Sequence, residues 1–455
     1  MGTKNYITAI EIGSSKVAGT VGVATYEGIN IIAYASEPVD GFISKGVVRN
    51  VDAASACLTD IINRLEAQLD NKVTIEKAYT TIGGISVRSV KSTVKREFDE
   101  YKKITPEIID AMAIENDNEF VVPEGYQKVQ VIVQDYKLDG SVNTAPTGFH
   151  TRSIEGSYLN IIINEQFMKQ LGESFEMAKI EIVDSFTAAK LEADILLNKD
   201  DKHSCALVNM GAETTTISIY TNELLRKLVV LPLGGENITR DISTQHISRE
   251  EAESIKMFKG YGAAGSDNSL IANETLNKII AARIEEILLN IKHQIESSGE
   301  KVGHIFFTGG AAKLKNLKAL LDEHLQEYNT RIITEPSLRC FNDSGLSLAS
   351  DAITPTLFGL LSTGKENCCK EVGAKEPATP VQLSLLENVD EEENNEPETD
   401  TPAEEKKVEE KKPEEKVETK KPEKPRKKPK WQQTLINMFS DFTDNITEDE
   451  ESDDE

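Results

Sequence analysis

The sequence predicts an α/β protein of two similar halves, with an α+β segment inserted into the first half and a charged, unfolded tail that ends in one amphipathic helix. Three observations carry that expectation. A strand–turn–strand–strand pattern opens at residue 5 and recurs from Cys205. Alternating strands interrupt the first half between residues 83 and 164. Beyond Gly364 the chain turns to Glu, Lys, Pro and Thr with almost no large apolar residue.

Taken in order, residues 5–24 read as two Ile/Val/Thr-rich strands around the small residues Gly13, Ser14 and Ser15, and a third strand follows at 29–36. Ala54, Leu58, Ile61, Ile62, Leu65 and Leu69 then mark one stripe of a helix that leads into a strand at 78–82. In the inserted segment, strands at 87–94 and 129–138 flank a helix announced by Thr105, Pro106 and Glu107. A strand at 158–163, a helix at 166–178 and a strand at 180–185 return the chain to its first layer. The second half runs through strands at 205–210, 214–220 and 224–232, helices at 238–246, 249–259 and 273–297, a strand at 304–308, and helices at 313–326 and 351–361. Residues 365–430 are too charged and Pro-rich to bury enough apolar surface against their ordering entropy, and read as an extended spacer.

Composition excludes several classes. A net charge of −26 opposes general nucleic-acid binding, with one short basic run at 424–430. The five cysteines show no zinc spacing and no CxxC, and their odd number suits a reducing compartment. The N-terminus has no charged-then-apolar signal, Tyr6 stands where a myristoylation motif wants Ser or Thr, and no apolar run approaches the roughly 18 residues of a span. These features predict a cytoplasmic protein whose membrane contact is peripheral.

Two turns of small residues, Gly13-Ser14-Ser15-Lys16 and Gly211-Ala212-Glu213-Thr214-Thr215, have the character of a pair of phosphate-cradling loops, because glycine admits a close ligand while amides and hydroxyls donate to phosphate oxygens. Read alone, each is more readily a β-hairpin with a flexible turn. Further elements follow in order: Gly234-Gly235 with Asn237, then Glu253 and Lys256 one helical turn apart, then Gly309-Gly310-Ala311 between a strand and a helix.

Together these motifs resemble the actin-like ATPase superfamily, with its duplicated ribonuclease H-like fold, and within it the FtsA cell-division family. Glu11-Ile12-Gly13-Ser14-Ser15-Lys16 is similar to that family's first phosphate motif, residues 251–256 to its adenosine-side helix, Phe307-Thr308-Gly309-Gly310-Ala311 to its adenosine loop, and residues 357–361 to its closing helix. The resemblance implies a first lobe (1A) at 1–82 with 165–200, an inserted subdomain (1C) at 83–164, a second lobe (2A) at 201–240 with 303–364, and a subdomain 2B at 241–302. It implies ATP as ligand, with Mg²⁺ held through water by Glu11 and Asn209. One departure bears on mechanism: the superfamily's usual Asp-Ile-Gly-Gly-Gly-Thr reads Asn209-Met210-Gly211-Ala212-Glu213-Thr214 here. Asn209 replaces a metal-orienting acid, and Glu213 brings a carboxylate toward phosphate unless it turns outward or meets the metal. The expectation is nucleotide binding with weak or absent hydrolysis.

Near the C-terminus, Trp431, Leu435, Met438, Phe439, Phe442 and Ile446 fall on one helical stripe over residues 431–446, preceded by the basic run. Bulky aromatics and preceding cations suit an anionic lipid surface; a helix docked on a partner or on the chain's own body reads similarly. The acidic tail at 447–455 opposes such a surface. By resemblance, the chain self-associates into filaments and tethers the FtsZ ring to the cytoplasmic face of the inner membrane at the division site. The same resemblance has it recruit other division proteins and bind the FtsZ C-terminal peptide on subdomain 2B. Arg283 and Glu286 are the candidate contacts, an exposed helix ion pair being the plainer reading. A pilus-assembly adaptor of the same fold, or a sugar or acetate kinase, is the alternative; no acid stands out as a kinase base.

Overall fold

The computed structural model describes residues 5–26, 28–69, 73–262, 270–333, 340–341 and 353–371. The first half begins with β1 (Tyr6–Ile12), β2 (Lys16–Thr25) and β3 (Gly28–Pro38), then a small hairpin of β4 (Ile43–Ser44) and β5 (Val47–Val48), helix α1 (Val51–Glu66), β6 (Val73–Ile75) and β7 (Lys77–Ile82). The insertion holds β8 (Arg88–Lys103), α2 (Pro106–Glu119), β9 (Tyr126–Leu138), β10 (Ser141–Asn143) and β11 (His150–Asn164). The chain returns through α3 (Glu165–Met177), β12 (Glu181–Thr187) and α4 (Ala188–Leu196). The second half contains β13 (Ser204–Met210), β14 (Thr215–Thr221), β15 (Leu224–Leu231), α5 (Gly235–Ser243), α6 (Arg249–Lys259), α7 (Asn273–Glu296), β16 (His304–Thr308), α8 (Leu317–His324) and β17 (Asn329–Ile332). Last come β18 (Cys340–Phe341), α9 (Pro355–Thr363) and β19 (Cys369–Glu371).

The duplication is visible in strand order. One sheet runs β12-β7-β1-β2-β3-β18 and the other β15-β14-β13-β16-β17. In both, three antiparallel strands form a meander whose first member pairs in parallel with a later strand, which pairs in parallel with another. β1 is buried along most of its length, as expected of a central strand covered on both faces. α1 lays Ala54, Leu58, Ile61, Ile62 and Leu65 on the first sheet, and Asn50 caps it by accepting from the Ala53 amide at 3.1 Å. On the second sheet, α7 buries Leu276, Ile280, Ile284, Ile287, Leu288, Ile291 and Ile295, which is the i, i+4, i+7 stripe of a core-facing helix.

The inserted sheet runs β10-β9-β11-β8 and packs α2 through Ile104, Met112, Tyr136, Ile154 and Tyr158. Its other contacts reach beyond its own layer. Leu159, Ile161 and Ile163 of β11 share a core with Ala189 and Ala193 of α4 and with Leu225, Leu228 and Val230 of the second sheet's edge strand. Polar bonds accompany that core: Ser89 Oγ accepts from the Leu228 amide at 2.8 Å, and Arg226 meets Asp135 at 2.5 Å.

Three expectations change. Residues 303–364 do not all belong to the second lobe, because α9 buries Leu357, Leu360 and Leu361 among Ile7, Ala9 and Ala18 of the first sheet and Leu191 of α4, while β18 extends that sheet beside β3. The spacer does not start at residue 365: the Cys368 amide donates to Tyr6 O at 2.8 Å and β19 pairs with β6. Finally, the helix expected at 313–326 is the shorter α8, Leu317–His324, after a single 3₁₀ turn. In each case hydrophobic spacing shows that a segment is buried, but not against what. The remainder of the expected spacer, the helix at 431–446 with Trp431, Leu435, Met438, Phe439 and Phe442, and the tail at 447–455 lie outside the described residues. Among the described residues no helix is long and apolar enough to cross a membrane.

Candidate functional site

The two glycine turns occupy equivalent places in the two sheets. Each joins a first strand to its antiparallel neighbour: Ile12 pairs with Val17 across one, Met210 with Thr215 across the other. Each is closed by the same bond, Gly13 N to Lys16 O at 3.0 Å and Gly211 N to Thr214 O at 2.8 Å. The turns face a common space, because the tip of the β4–β5 hairpin reaches both. Gly46 N donates to Ser14 Oγ at 2.8 Å, and Lys45 N donates to the Glu213 carboxylate at 2.5 Å. Glu213 is thus turned onto a backbone amide of the first lobe, and Ser14 keeps its own proton to donate. Ser15 is exposed beside it, while Lys16 is half-buried and close enough to Glu11 to favour its charged form.

Around the second turn the structure separates residues that face the space from residues that build it. Thr215 is fully buried and donates to Leu233 O at 2.8 Å, so it belongs to the wall. The first amides of α5 are spent on the turn itself: Gly235 N donates to Gly211 O at 2.9 Å and Glu236 N to Ala212 O at 2.7 Å, while Asn237 Oδ1 accepts from Gly234 N at 2.9 Å. These bonds aim the positive end of α5 at the turn and hold its carbonyls away from a would-be anion. Lys256 Nζ ties α6 to the same place, donating to Gly235 O at 3.1 Å, Thr239 Oγ1 at 2.8 Å and Glu253 Oε2 at 2.6 Å. Ala311 packs close to Gly235, and Gly310 faces open space. Gly309 has φ +91°, and a Cβ there would lie 2.6 Å from Met210 O, so only glycine lets the β16 turn approach β13 this closely.

Below the turns lies a cluster that the sequence did not disclose. Glu192, on α4, is 5% exposed and accepts on Oε1 from Asn209 Nδ2 at 2.5 Å and from Thr356 Oγ1 at 3.1 Å. Glu11 accepts from Thr354 Oγ1 at 2.6 Å. Burial, and then the nearby charge of Glu11, push Glu192 up to about 7, and burial likewise raises Glu11. Four separate elements, β1, α4, β13 and the start of α9, therefore converge two carboxyls, an amide and two hydroxyls. The only local signal was an acid flanked by apolar residues in Ala189-Lys190-Leu191-Glu192-Ala193, a segment too short for its periodicity to stand out.

Arg283 and Glu286 pair with each other on α7, and Arg283 Nε also meets Asp241 Oδ2 at 2.6 Å. The guanidinium is already committed to two carboxylates within the chain.

Comparison with solved structures identifies the class. The PilM–PilN type IV pilus biogenesis complex aligns with a TM-score of 0.55 at 15% identity, covering 78% of this chain and 96% of that one, a likeness of fold. With the repeated strand order, the body has the duplicated actin-like fold that the pseudo-repeat predicted. Within that class the chain is similar to FtsA proteins. The family model described as cell division protein FtsA matches residues 206–348. Cell division protein FtsA of Porphyromonas gingivalis is 27% identical over 70% of this chain and 70% of its own, and that of Bacillus subtilis 28% over 73% and 79%. The Escherichia coli protein of the same name is 24% identical over 80% and 91%.

Proposed function

We propose that this chain is a nucleotide-binding, self-associating cell-division protein that holds the FtsZ ring at the cytoplasmic face of the membrane and recruits other division proteins. The observation that carries the reading is the similarity to FtsA proteins along a body whose two symmetric turns face one space. ATP fits that space. The triphosphate takes the proton of Ser14 and the amides of the two turns beyond those of Gly13 and Gly211, which close the turns, and the nucleoside lies toward Gly234, Gly235, Glu253, Lys256, Gly310 and Ala311.

The donor set of Glu11, Asn209 and Glu192 suits a hydrated Mg²⁺, a hard cation that prefers oxygen ligands and keeps its waters. Burial holds the protons on both carboxyls, and the charge of Glu11 adds to the shift of Glu192, so the pair is a set that such a cation would relieve. When bound, Mg²⁺ supplies charge neutralisation at the phosphates. The chain's own contribution is to orient: Thr354 and Thr356 fix the two carboxyls, and Asn209 is locked by Glu192. Glu192 is also a buried acid beside the two turns that its local sequence does not mark out.

The FtsZ C-terminal peptide docks, in this reading, on the face carrying Arg283 and Glu286, where it exchanges its carboxylates for those of Asp241 and Glu286. Membrane attachment falls to residues 431–446. Liposome co-sedimentation of the full chain against one ending at Lys430, with and without ATP, tests the tether. Loss of sedimentation on truncation is expected, and equal sedimentation of both chains would sink the membrane role.

A further inference from the structure

The β4–β5 hairpin is small, yet its tip touches three parts of the protein. Its root is fixed: Ile43, Val47 and Val48 are buried in the first lobe, and Arg49 N and Asn50 N donate back to Phe42 O at 2.8 and 3.2 Å. Its tip turns through left-handed backbone at Lys45, φ 54°, and Gly46, φ 72°. The two tip amides go to the two phosphate turns, Gly46 N to Ser14 Oγ and Lys45 N to Glu213. The Lys45 carbonyl accepts from Ile85 N at 3.0 Å. That last bond lies where the chain leaves β7 for the inserted sheet.

The contact with this junction is close. A Cβ on Gly84 would lie 2.6 Å from Gly46 O, and one on Gly46 would lie 2.7 Å from Gly84 Cα. Two glycines pressed backbone to backbone leave no side chain to absorb a shift of the tip, so movement passes directly to residues 83–87. Val87 is buried in the core shared by the inserted and second sheets, and Ser89 is bonded to Leu228. The junction is therefore stiff on its far side as well.

We propose that this hairpin is a coupling element through which occupancy of the two phosphate turns and the set of the inserted sheet control each other. The inference rests on the nucleotide-binding reading above. A phosphate group arriving between the turns draws on the Ser14 proton and repels the Glu213 carboxylate, and those two groups are what the tip amides hold. Displacing Glu213 frees Lys45 N, and Lys45 O is the acceptor that secures Ile85. Linkage makes the effect reciprocal: a partner or a second copy that repositions the inserted sheet changes nucleotide affinity by the same factor as nucleotide changes that partner's affinity.

Hydrogen–deuterium exchange on the full chain, with ATP binding measured by calorimetry on the same samples, tests the coupling. Saturating Mg²⁺-ATP is expected to change exchange in residues 42–50 and 83–90 together. Glu213→Ala, without nucleotide, is expected to speed exchange in 83–90 by at least about fivefold. Lys45→Gly, which keeps both tip amides and eases the left-handed backbone, is expected to behave as the parent chain and controls for general loosening. ATP binding with 83–90 unchanged overturns the coupling and leaves the nucleotide reading standing. Glu213→Ala that loosens 42–50 but not 83–90 also overturns it. Absence of ATP binding overturns both.

Discussion

Replacing Glu192 by glutamine isolates the buried acid beneath the two turns. Both hydrogen bonds that Glu192 receives, from Asn209 and Thr356, land on Oε1, so glutamine keeps them and removes only the titration. The carboxyl's ordinary value near 4.5 is raised to about 7 in the folded chain, by burial first and by Glu11 second. Between those values the native chain keeps a proton that the unfolded chain has released. The group's contribution to stability is complete below the unfolded value and is lost as pH rises through the folded one. At about 1.4 kcal/mol per pH unit, the loss totals about 3 kcal/mol. Urea denaturation of parent and Glu192→Gln, free of nucleotide and divalent cations, reads this as a difference. That difference is expected to grow in favour of the variant by about 2–3 kcal/mol between pH of about 5 and about 8. A difference that stays constant across the range would refute the assignment of a burial-raised carboxyl at this position.

Other outcomes follow from packing and close approach. Leu360→Ala, in a fully buried position of α9, is expected to cost about 2–5 kcal/mol; amide protection should fall in β1 and β2, and loss confined to β13 and β14 would contradict the seating of α9 on the first lobe. Gly309→Ala forces a side chain into φ +91° against Met210 O; strain on the order of 1–3 kcal/mol should appear as weakened ATP binding with unchanged circular dichroism, and parent-like affinity would remove the β16 turn from the site. Asp135→Ala leaves the buried Arg226 guanidinium without its carboxylate, and a loss of about 3 kcal/mol in thermal unfolding is expected, with Asp135→Asn less affected. Equal melting of all three chains would show that the pair does not secure the inserted sheet.

Much of the site was legible because its chemistry is local. A glycine turn between two Val/Ile/Thr strands has a signature within a few residues, and so do the pairs Gly234-Gly235 and Gly309-Gly310. The convergence of Glu11, Glu192, Asn209, Thr354 and Thr356 has no such signature, since its members span more than 340 positions and meet only through sheet order and helix seating. Thr215 shows the converse: its type and position suggested a ligand contact, but strand alternation turns its hydroxyl into the wall. Glu213 was legible as an acid near phosphate, with its orientation open; the amide of Lys45, far away in sequence, decides that orientation.

By itself, then, the sequence determined the duplicated α/β halves, the inserted segment and the two turns, because each is written in short-range periodicity and in residues that only a turn needs. Tertiary structure alone decided that α9 and residues 365–371 complete the first lobe rather than the second half or the spacer. It also decided that the β4–β5 tip spans both turns and that Glu192 stands beneath them. The physical reason is common to all of these: spacing reports that a face is buried, whereas the partner of that face, and the charge it meets there, are set by which distant elements pack together.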